Sequence, residues 1–180
     1  GCLYYPGFNL IQVKTKKVSK ICNEDYFKKL EKILLKEKNS IIIFSGRFPL
    51  HLNNTFFNNE EGAIEDENAG QKVGEWHLKY ISTGNFKTIQ DSFKISILKI
   101  AKNNKIILIY PIPEAGWHIP KKVLNLMPKF IFNKDYLKPE NYITTSLKVY
   151  EKRSKTSFEL LNSIKSNNVY RVYPHKLFCD

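Results

Sequence analysis

The spacing of apolar residues changes along the chain between a strand-like and a helix-like pattern. Residues 41–45 and 106–110 form continuous apolar, β-branched runs, which are typical of strands covered on both faces of a parallel sheet. Shorter β-type runs occupy residues 9–13 and 169–173. We therefore predict four strands, of which the last three in the chain are adjacent and parallel.

Three helices are predicted between these strands, because apolar residues recur there every three or four positions. The first follows Asn23, whose side chain is suited to cap it, and the second begins at Asp91 or Ser92. The third covers about 146–166. Strands that alternate with helices form right-handed crossovers, so we expect an α/β fold whose parallel sheet has helices on both faces. Ligands bind such sheets beyond the carboxyl ends of the strands.

One long segment, about 49–85, lacks both patterns and is predicted to be a loop. It carries an acidic cluster that lacks the spacing of a calcium-binding loop, so we interpret it as a solvated charged loop. The cluster consists of Glu60, Glu61, Glu65, Asp66 and Glu67. The whole chain has 180 residues, which suits one domain with one core. Since it starts at Gly1 without a methionine and ends at Asp180 without a polar tail, we expect a single domain over 1–180 that is incomplete at both termini.

Charge alone makes nucleic acid a possible partner, since 29 Lys and Arg stand against 17 Asp and Glu, a net charge of +12. Most lysines are scattered, however, and residues 14–17 hold the one basic run. Neither a zinc-finger spacing nor the aromatic signature of RNA-binding sheets occurs. We therefore expect no nucleic-acid partner, and a basic surface near anionic lipids or glycans is the less specific alternative.

Candidate chemistry follows the first central strand directly. Gly46 would allow a ligand to approach the backbone, and Arg47 could hold an anion or a developing oxyanion. A tight turn with Arg47 in a structural salt bridge is the alternative. Ser45 is a weaker candidate for a nucleophile, because it is not in a Gly-x-Ser-x-Gly motif.

The second central strand ends at a proline-marked turn. Glu114, Trp117 and His118 follow it and could line a cleft, although a rigid turn with the tryptophan covering the core is the alternative. The remaining histidines are isolated from one another and from paired carboxylates. We therefore expect no metal site, and no cofactor, because phosphate-loop and dinucleotide motifs are also missing from the sequence.

Several motifs together resemble the SGNH domain that is fused to membrane acyltransferases of the acyltransferase-3 family. The most specific are the Ser45-Gly46-Arg47-Phe48 turn and the later Pro111-Ile112-Pro113-Glu114 turn. The others are Cys2 with Pro6-Gly7, Cys22, and residues 42–44, 58–65, 107–110, 150–153 and 177–180. This resemblance implies a flavodoxin-like three-layer fold. It also implies acyl transfer to or from sugar hydroxyls, such as the O-acetylation of a lipopolysaccharide or another cell-surface polysaccharide.

Catalysis in that family uses a Ser-His-Asp triad, with the serine in Gly-Asp-Ser and the other two residues in Asp-x-x-His. This chain contains neither motif, so we expect the triad to lie outside it and the chain alone to be inactive. The resemblance implies that Gly7 is an oxyanion glycine, and Arg47 stands near the position of an asparagine that is usual in SGNH enzymes. A non-catalytic glycan-binding domain of the same fold is the first alternative, and a basic nucleic-acid-binding protein is the second.

The resemblance also concerns location and cysteines. It implies a periplasmic domain of a bacterial inner-membrane protein, fused to a transmembrane acyltransferase domain, with an acyl donor and a glycan as its substrates. Cys2 and Cys22 match cysteines of the family's early segment, so we expect them to form a disulfide. Cys179 resembles the first cysteine of a pair whose partner lies downstream, so we expect it to be unpaired here.

Overall fold

The computed structural model describes residues 2–65, 77–116, 119–120, 122–124 and 145–178. Strands and helices alternate along most of this part of the chain. The strands are β1 (Phe8–Gln12), β2 (Ile41–Phe44), β3 (Leu78–Ser82), β4 (Lys105–Ile109) and β5 (Val169–Val172). The helices are α1 (Glu24–Lys36), α2 (Phe48–Asn53), α3 (Ile89–Ala101), α4 (Leu147–Ser163) and α5 (His175–Phe178).

The central sheet consists of β2, β4 and β5, in the order β2-β4-β5, and all of its pairs are parallel. Ile42 lies opposite Ile106, and Ile109 lies opposite Val172. The predicted adjacency of the runs at Ile41, Ile106 and Val169 is therefore confirmed. The fold is mixed α/β, with a parallel sheet flanked by helices, as the fold class predicted.

The two faces of the sheet differ in how they are covered. Both crossovers, through α3 and through α4, run in the same direction across the sheet, and right-handed crossovers then place both helices on one face. On that face Ile106 and Leu108 are fully buried in the main core. On the other face Ile41 and Ile43 are 65% and 59% exposed. Alternate side chains of a strand point to opposite faces of the sheet, so among the described residues one face of β2 packs on the core and the face that carries Ile41 and Ile43 is exposed.

The predicted loop 49–85 contains helix α2 and strand β3, so that part of the sequence-based assignment is wrong. β3 pairs with β1 in an antiparallel ribbon, with Phe8 opposite Ser82. Tyr80 is the one buried residue of β3, and its ring lies 4.8 Å from that of Tyr5. The strand is thus stabilised by its partner strand and by the ring contacts of Tyr80 with Tyr5, Phe27 and His51, none of which produces a recognisable local pattern.

The helix boundaries test the capping predictions. Asn23 caps α1 as predicted, since its side chain accepts a hydrogen bond from the backbone of Tyr26. α3 begins earlier than predicted, because Thr88 is its cap and accepts from the backbone of Asp91 at 3.0 Å. The hydroxyl of Ser92 instead donates to the carbonyl of Pro6 at 2.5 Å, which ties the start of α3 to the segment before β1.

Candidate functional site

The turns that follow β2 and β4 meet at the carboxyl edge of the sheet. Arg47 follows β2, and Glu114 follows β4. Because these strands are adjacent and parallel, their carboxyl ends lie side by side. Arg47 Nε donates to Glu114 Oε1 at 3.2 Å, and Nη2 donates to the same oxygen. The two sequence-predicted turns therefore form one site at the edge where such sheets bind ligands.

A second carboxylate completes the coordination of Arg47. The guanidinium binds Glu65 in a bidentate manner, with Nη1 to Oε1 at 2.8 Å and Nη2 to Oε2 at 2.7 Å. Bidentate charge-assisted pairs of this geometry are among the stronger hydrogen bonds in proteins. The interpretation of Glu65 as part of a solvated loop is therefore wrong. Asp66 and Glu67, from the same predicted cluster, lie outside the described residues.

Arg153 on α4 is the fourth member of this group. Its Nε donates to Glu114 Oε2 at 3.2 Å, and Nη1 and Nη2 donate to the hydroxyl and the carbonyl of Thr55, both at 2.7 Å. Its side chain is only 9% exposed, and its guanidinium lies 5.8 Å from the ring centre of Phe57. We call Arg47, Glu65, Glu114 and Arg153 the Arg–Glu cluster. Its charges balance, and one carboxylate serves both guanidiniums.

The electrostatics of the cluster favour the charged forms of Arg47 and Glu65. The hydrogen bond to Glu65 is the largest cause that raises the pKa of Arg47 above its ordinary value, and the hydrogen bond to Glu114 raises it further. Burial acts in the opposite direction but does not outweigh them. Burial alone would raise the pKa of Glu65, but the hydrogen bond and the charge of Arg47 outweigh it and lower that pKa. Since its N–H groups are already directed at two carboxylates, a ligand anion would have to displace a carboxylate to bind Arg47. The structure thus agrees with the salt-bridge alternative for this residue.

Gly46 is needed for packing against the N-terminal segment. A Cβ atom at this position would lie 2.0 Å from Cδ2 of Leu3, and Leu3 is itself buried. This contact explains the glycine structurally, and its role in ligand binding stays a prediction. Ser45, the adjacent candidate nucleophile, is exposed at the end of β2.

Gly7 lies at the start of the β1–β3 ribbon. Its backbone has a φ of 77°, which favours glycine, and its carbonyl accepts hydrogen bonds from the amide and the hydroxyl of Thr83 at 2.9 and 3.0 Å. A Cβ here would lie 3.0 Å from the Phe86 ring. These contacts explain the glycine structurally, and its role as an oxyanion donor stays a prediction. Trp117 and His118, the other candidate lining residues, lie outside the described residues.

A cavity of about 340 Å³ opens beside the Arg–Glu cluster, between the segment after α2 and the outer side of α4. At this cavity Lys152 Nζ and Glu60 Oε1 are 2.5 Å apart and both side chains are exposed. The amide nitrogen of Asn58, on the same wall, has no hydrogen-bond partner among the described residues. The cavity is lined by Asn53, Thr55, Phe56, Asn58, Glu60, Val149, Lys152 and Arg153.

Two features of the sequence point to this part of the site. Arg153 follows Tyr150 by three positions, which places the arginine on the side of α4 that Tyr150 buries. An arginine on a buried helix face needs an acidic partner elsewhere in the chain. Asn59, fully buried, accepts hydrogen bonds from the backbone of Glu61 and Ala63 at 2.9 and 2.8 Å, and the Asn58-Asn59 pair was the available sign of an ordered turn.

Cys2 and Cys22 form a disulfide with their Cα atoms 5.4 Å apart, the pair that the resemblance implied. Cys179 lies outside the described residues.

In the described part of the chain, no group of three or more His, Cys, Asp or Glu residues is placed to hold a metal ion. Within the same residues, every helix is too short or too polar to cross a bilayer.

His51 on α2 gives the site a pH dependence that can be measured. Burial lowers the pKa of His51 from 6.5 to about 4, and the positive charge of Arg47 is the second cause of this shift. As the pH falls from 7 to 4, unfolded chains therefore take up a proton at His51 that folded chains do not. We expect the free energy of unfolding to fall by about 2–3 kcal/mol over this range. Urea unfolding at several pH values measures this change. His51→Gln should flatten the dependence between pH 6.5 and 4. An unchanged slope in this variant would contradict the assignment.

Comparison with known proteins gives one match. The model of the family described as SGNH domain (fused to AT3 domains) matches residues 1–180 of this chain. No curated protein matches, and no solved structure does. The family match covers the Arg–Glu cluster, the cavity and the parallel sheet, and it agrees with the resemblance of the two turn motifs. The chain therefore belongs to the SGNH domains that are fused to AT3 domains.

Proposed function

We propose that this chain is part of an acyl-transfer domain that acts on sugar hydroxyls of a cell-surface glycan, on the periplasmic side of a bacterial inner membrane. Membership of a family fused to acyltransferase domains supports the general chemistry. The observation that carries the proposal is the cavity lined in part by Arg153. Arg153 belongs to the Arg–Glu cluster, whose Arg47 and Glu114 follow β2 and β4 at the carboxyl edge of the sheet. In open α/β sheets this edge is where substrates bind.

The lining of the cavity favours an uncharged, hydroxyl-rich ligand. The charges of Lys152 and Glu60 compensate each other, and Arg153 is compensated by Glu114. The amide of Asn58 and the remaining N–H groups of Lys152 can bind hydroxyl groups, while Phe56 and Val149 offer apolar surface. A sugar ring presents this combination of hydroxyls and C–H groups. The volume, about 340 Å³, lies in the usual range of small-molecule sites.

The residues of this chain would position the substrate, while the Ser-His-Asp triad lies outside it. The Arg–Glu cluster fixes the turn after β2, the turn after β4 and helix α4 relative to one another. Rigid support of a substrate pocket favours acyl transfer, because small displacements of the substrate from the reactive geometry strongly reduce the rate. The Cys2–Cys22 disulfide supports an oxidising compartment such as the periplasm.

The ester content of the surface glycan in the host bacterium tests this function. We expect that deletion of the gene removes a class of base-labile O-acyl groups, measured by mass spectrometry of the purified polysaccharide. The double variant Asn58→Ala/Lys152→Ala should lower the acyl content about tenfold, because two hydroxyl-binding groups are lost from the cavity. Asn167→Ala is the matched control, since this asparagine is exposed in the turn before β5, and it should have no effect.

Two results would count against the proposal. Unchanged acyl groups in the deletion strain would exclude acyl transfer, and binding of the glycan by the purified chain in that case would identify a non-catalytic glycan-binding domain. Loss of acyl groups in the deletion strain, with full activity in the Asn58→Ala/Lys152→Ala variant, would place the acceptor sugar outside this cavity.

A further inference from the structure

The loop after β1 is the most basic surface segment of the described chain. Residues 12–21, which we call the basic hairpin, contain Lys14, Lys16, Lys17 and Lys20 and no acidic residue. Every residue of the hairpin except Ser19 is exposed. Among the described residues, none of these four lysines forms an ion pair. Their charges are therefore available to a partner.

Exposed aliphatic side chains lie among these lysines. Val13 is 38% exposed, Val18 is 50% exposed and Ile21 is 68% exposed. A single exposed aliphatic residue is ordinary. Three of them within one short loop, interleaved with four lysines, form a surface with both cationic and apolar groups. This combination is typical of segments that lie in the interface of a lipid bilayer.

The backbone of the hairpin is held in place. Gln12 N donates to Lys17 O at 2.9 Å, and Lys16 N donates to Gln12 O at 2.8 Å. Ser19 N donates to Leu10 O at 2.7 Å, and the Cys2–Cys22 disulfide anchors the end of the loop. Since the loop is already ordered, little conformational entropy is lost when it binds a surface.

The acidic residues that follow the hairpin in the sequence, Glu24 and Asp25, do not pair with its lysines. Glu24, in the first turn of α1, pairs with Lys28 at 3.0 Å and accepts from the side chain of Asn85 at 3.3 Å. Asp25 is exposed next to it, and the positive end of the α1 dipole offsets a carboxylate at this position. Among the described residues, no acidic side chain therefore pairs with the lysines of the hairpin.

We propose that the basic hairpin docks this domain on the surface of an anionic phospholipid bilayer. The lysines bind lipid phosphates, and Val13, Val18 and Ile21 enter the boundary between the headgroups and the acyl chains. A polyanion without hydrocarbon, such as nucleic acid or an acidic polysaccharide, would bind the lysines but leave these aliphatic groups in water. An anionic bilayer can contact both the lysines and the aliphatic groups. This inference concerns a surface apart from the cavity and does not depend on the proposed acyl-transfer function.

Vesicle sedimentation with the purified 180-residue chain tests this docking. We expect binding to vesicles of phosphatidylcholine with about 30% phosphatidylglycerol, and much weaker binding to pure phosphatidylcholine. Each lysine near such a surface contributes roughly fivefold in partitioning. Lys14→Glu/Lys16→Glu/Lys17→Glu should therefore reduce binding by at least about 100-fold at about 0.1 M salt.

A matched control separates the hairpin from the net charge of the protein. Lys148→Glu/Lys155→Glu/Lys165→Glu changes the net charge equally at three exposed lysines on α4 and just after it, and it should retain most of the binding. Val18→Ser/Ile21→Ser should reduce binding about tenfold while the salt dependence remains. Circular dichroism of each variant checks that it is folded.

Three outcomes would overturn the inference. Equal losses in the two lysine variants would show that net charge alone drives the binding. Unchanged binding in Val18→Ser/Ile21→Ser, together with equally tight binding to heparin or DNA, would identify a general polyanion surface. Wild-type chain that does not sediment with the phosphatidylglycerol vesicles would exclude the docking altogether.

Discussion

Replacing Glu114 by alanine is expected to lower the free energy of unfolding by about 3–5 kcal/mol. This carboxylate accepts hydrogen bonds from Arg47 at 3.2 Å and from Arg153 at 3.2 Å. Without it, the two guanidiniums would lie near each other with Glu65 as their remaining anion, and Arg153 is almost completely buried. An unpaired buried charge is costly, because the protein interior solvates it poorly.

Chemical denaturation of the wild-type chain and the variant measures this effect. Glu151→Ala is the matched control, because it removes the same charge from the exposed side of α4 and should change stability by less than about 0.5 kcal/mol. If Glu114→Ala is no more destabilising than Glu151→Ala, the Arg–Glu cluster does not stabilise the fold. The double variant Glu114→Ala/Arg153→Met should recover part of the loss, because it removes the buried charge together with its partner.

Loss of the Cys2–Cys22 disulfide is the second large expected effect. The bond closes a loop between residues separated by 20 positions, and a loop of this length corresponds to about 3 kcal/mol of stability through the entropy of the unfolded chain. Guanidinium unfolding with and without a thiol reductant should show this difference in the wild-type chain.

The double variant Cys2→Ser/Cys22→Ser provides the control. It should be less stable than the oxidised wild type and should not respond to the reductant. Because Cys22 is buried in the core, serine at this position adds a polar burial cost, so the reductant arm isolates the contribution of the bond. A wild-type chain with the same unfolding midpoint in both conditions would contradict the prediction.

Local patterns predicted those parts of the fold whose cause is local. The β-branched runs at Ile41 and Ile106 became neighbouring strands, and Asn23 caps α1 because its side chain acts on the backbone three residues away. β3 was missed because only Tyr80 among its residues is buried. Its pairing with β1 is a long-range interaction that single-sequence patterns do not contain.

The candidate site was predictable to the same extent. The rule that ligands bind at the carboxyl edge of a parallel sheet was sufficient to place Arg47 and Glu114 near each other. Glu65 and Arg153 were missed because their partners come from segments that the sequence does not connect. The sequence also left open whether Arg47 binds an external anion. The answer depends on Glu65 and Glu114, which bind its guanidinium from distant segments.

The sharing of one carboxylate by two arginines has a mechanical consequence. Glu114 links the turn after β2 to α4, and α4 also supplies Val149 and Lys152 to the wall of the cavity. A displacement of α4 by an incoming ligand would move Arg153 and, through Glu114, would pull on Arg47. The wall of the cavity and the turn at the sheet edge are thus joined by hydrogen bonds to one carboxylate, in addition to their packing on the core.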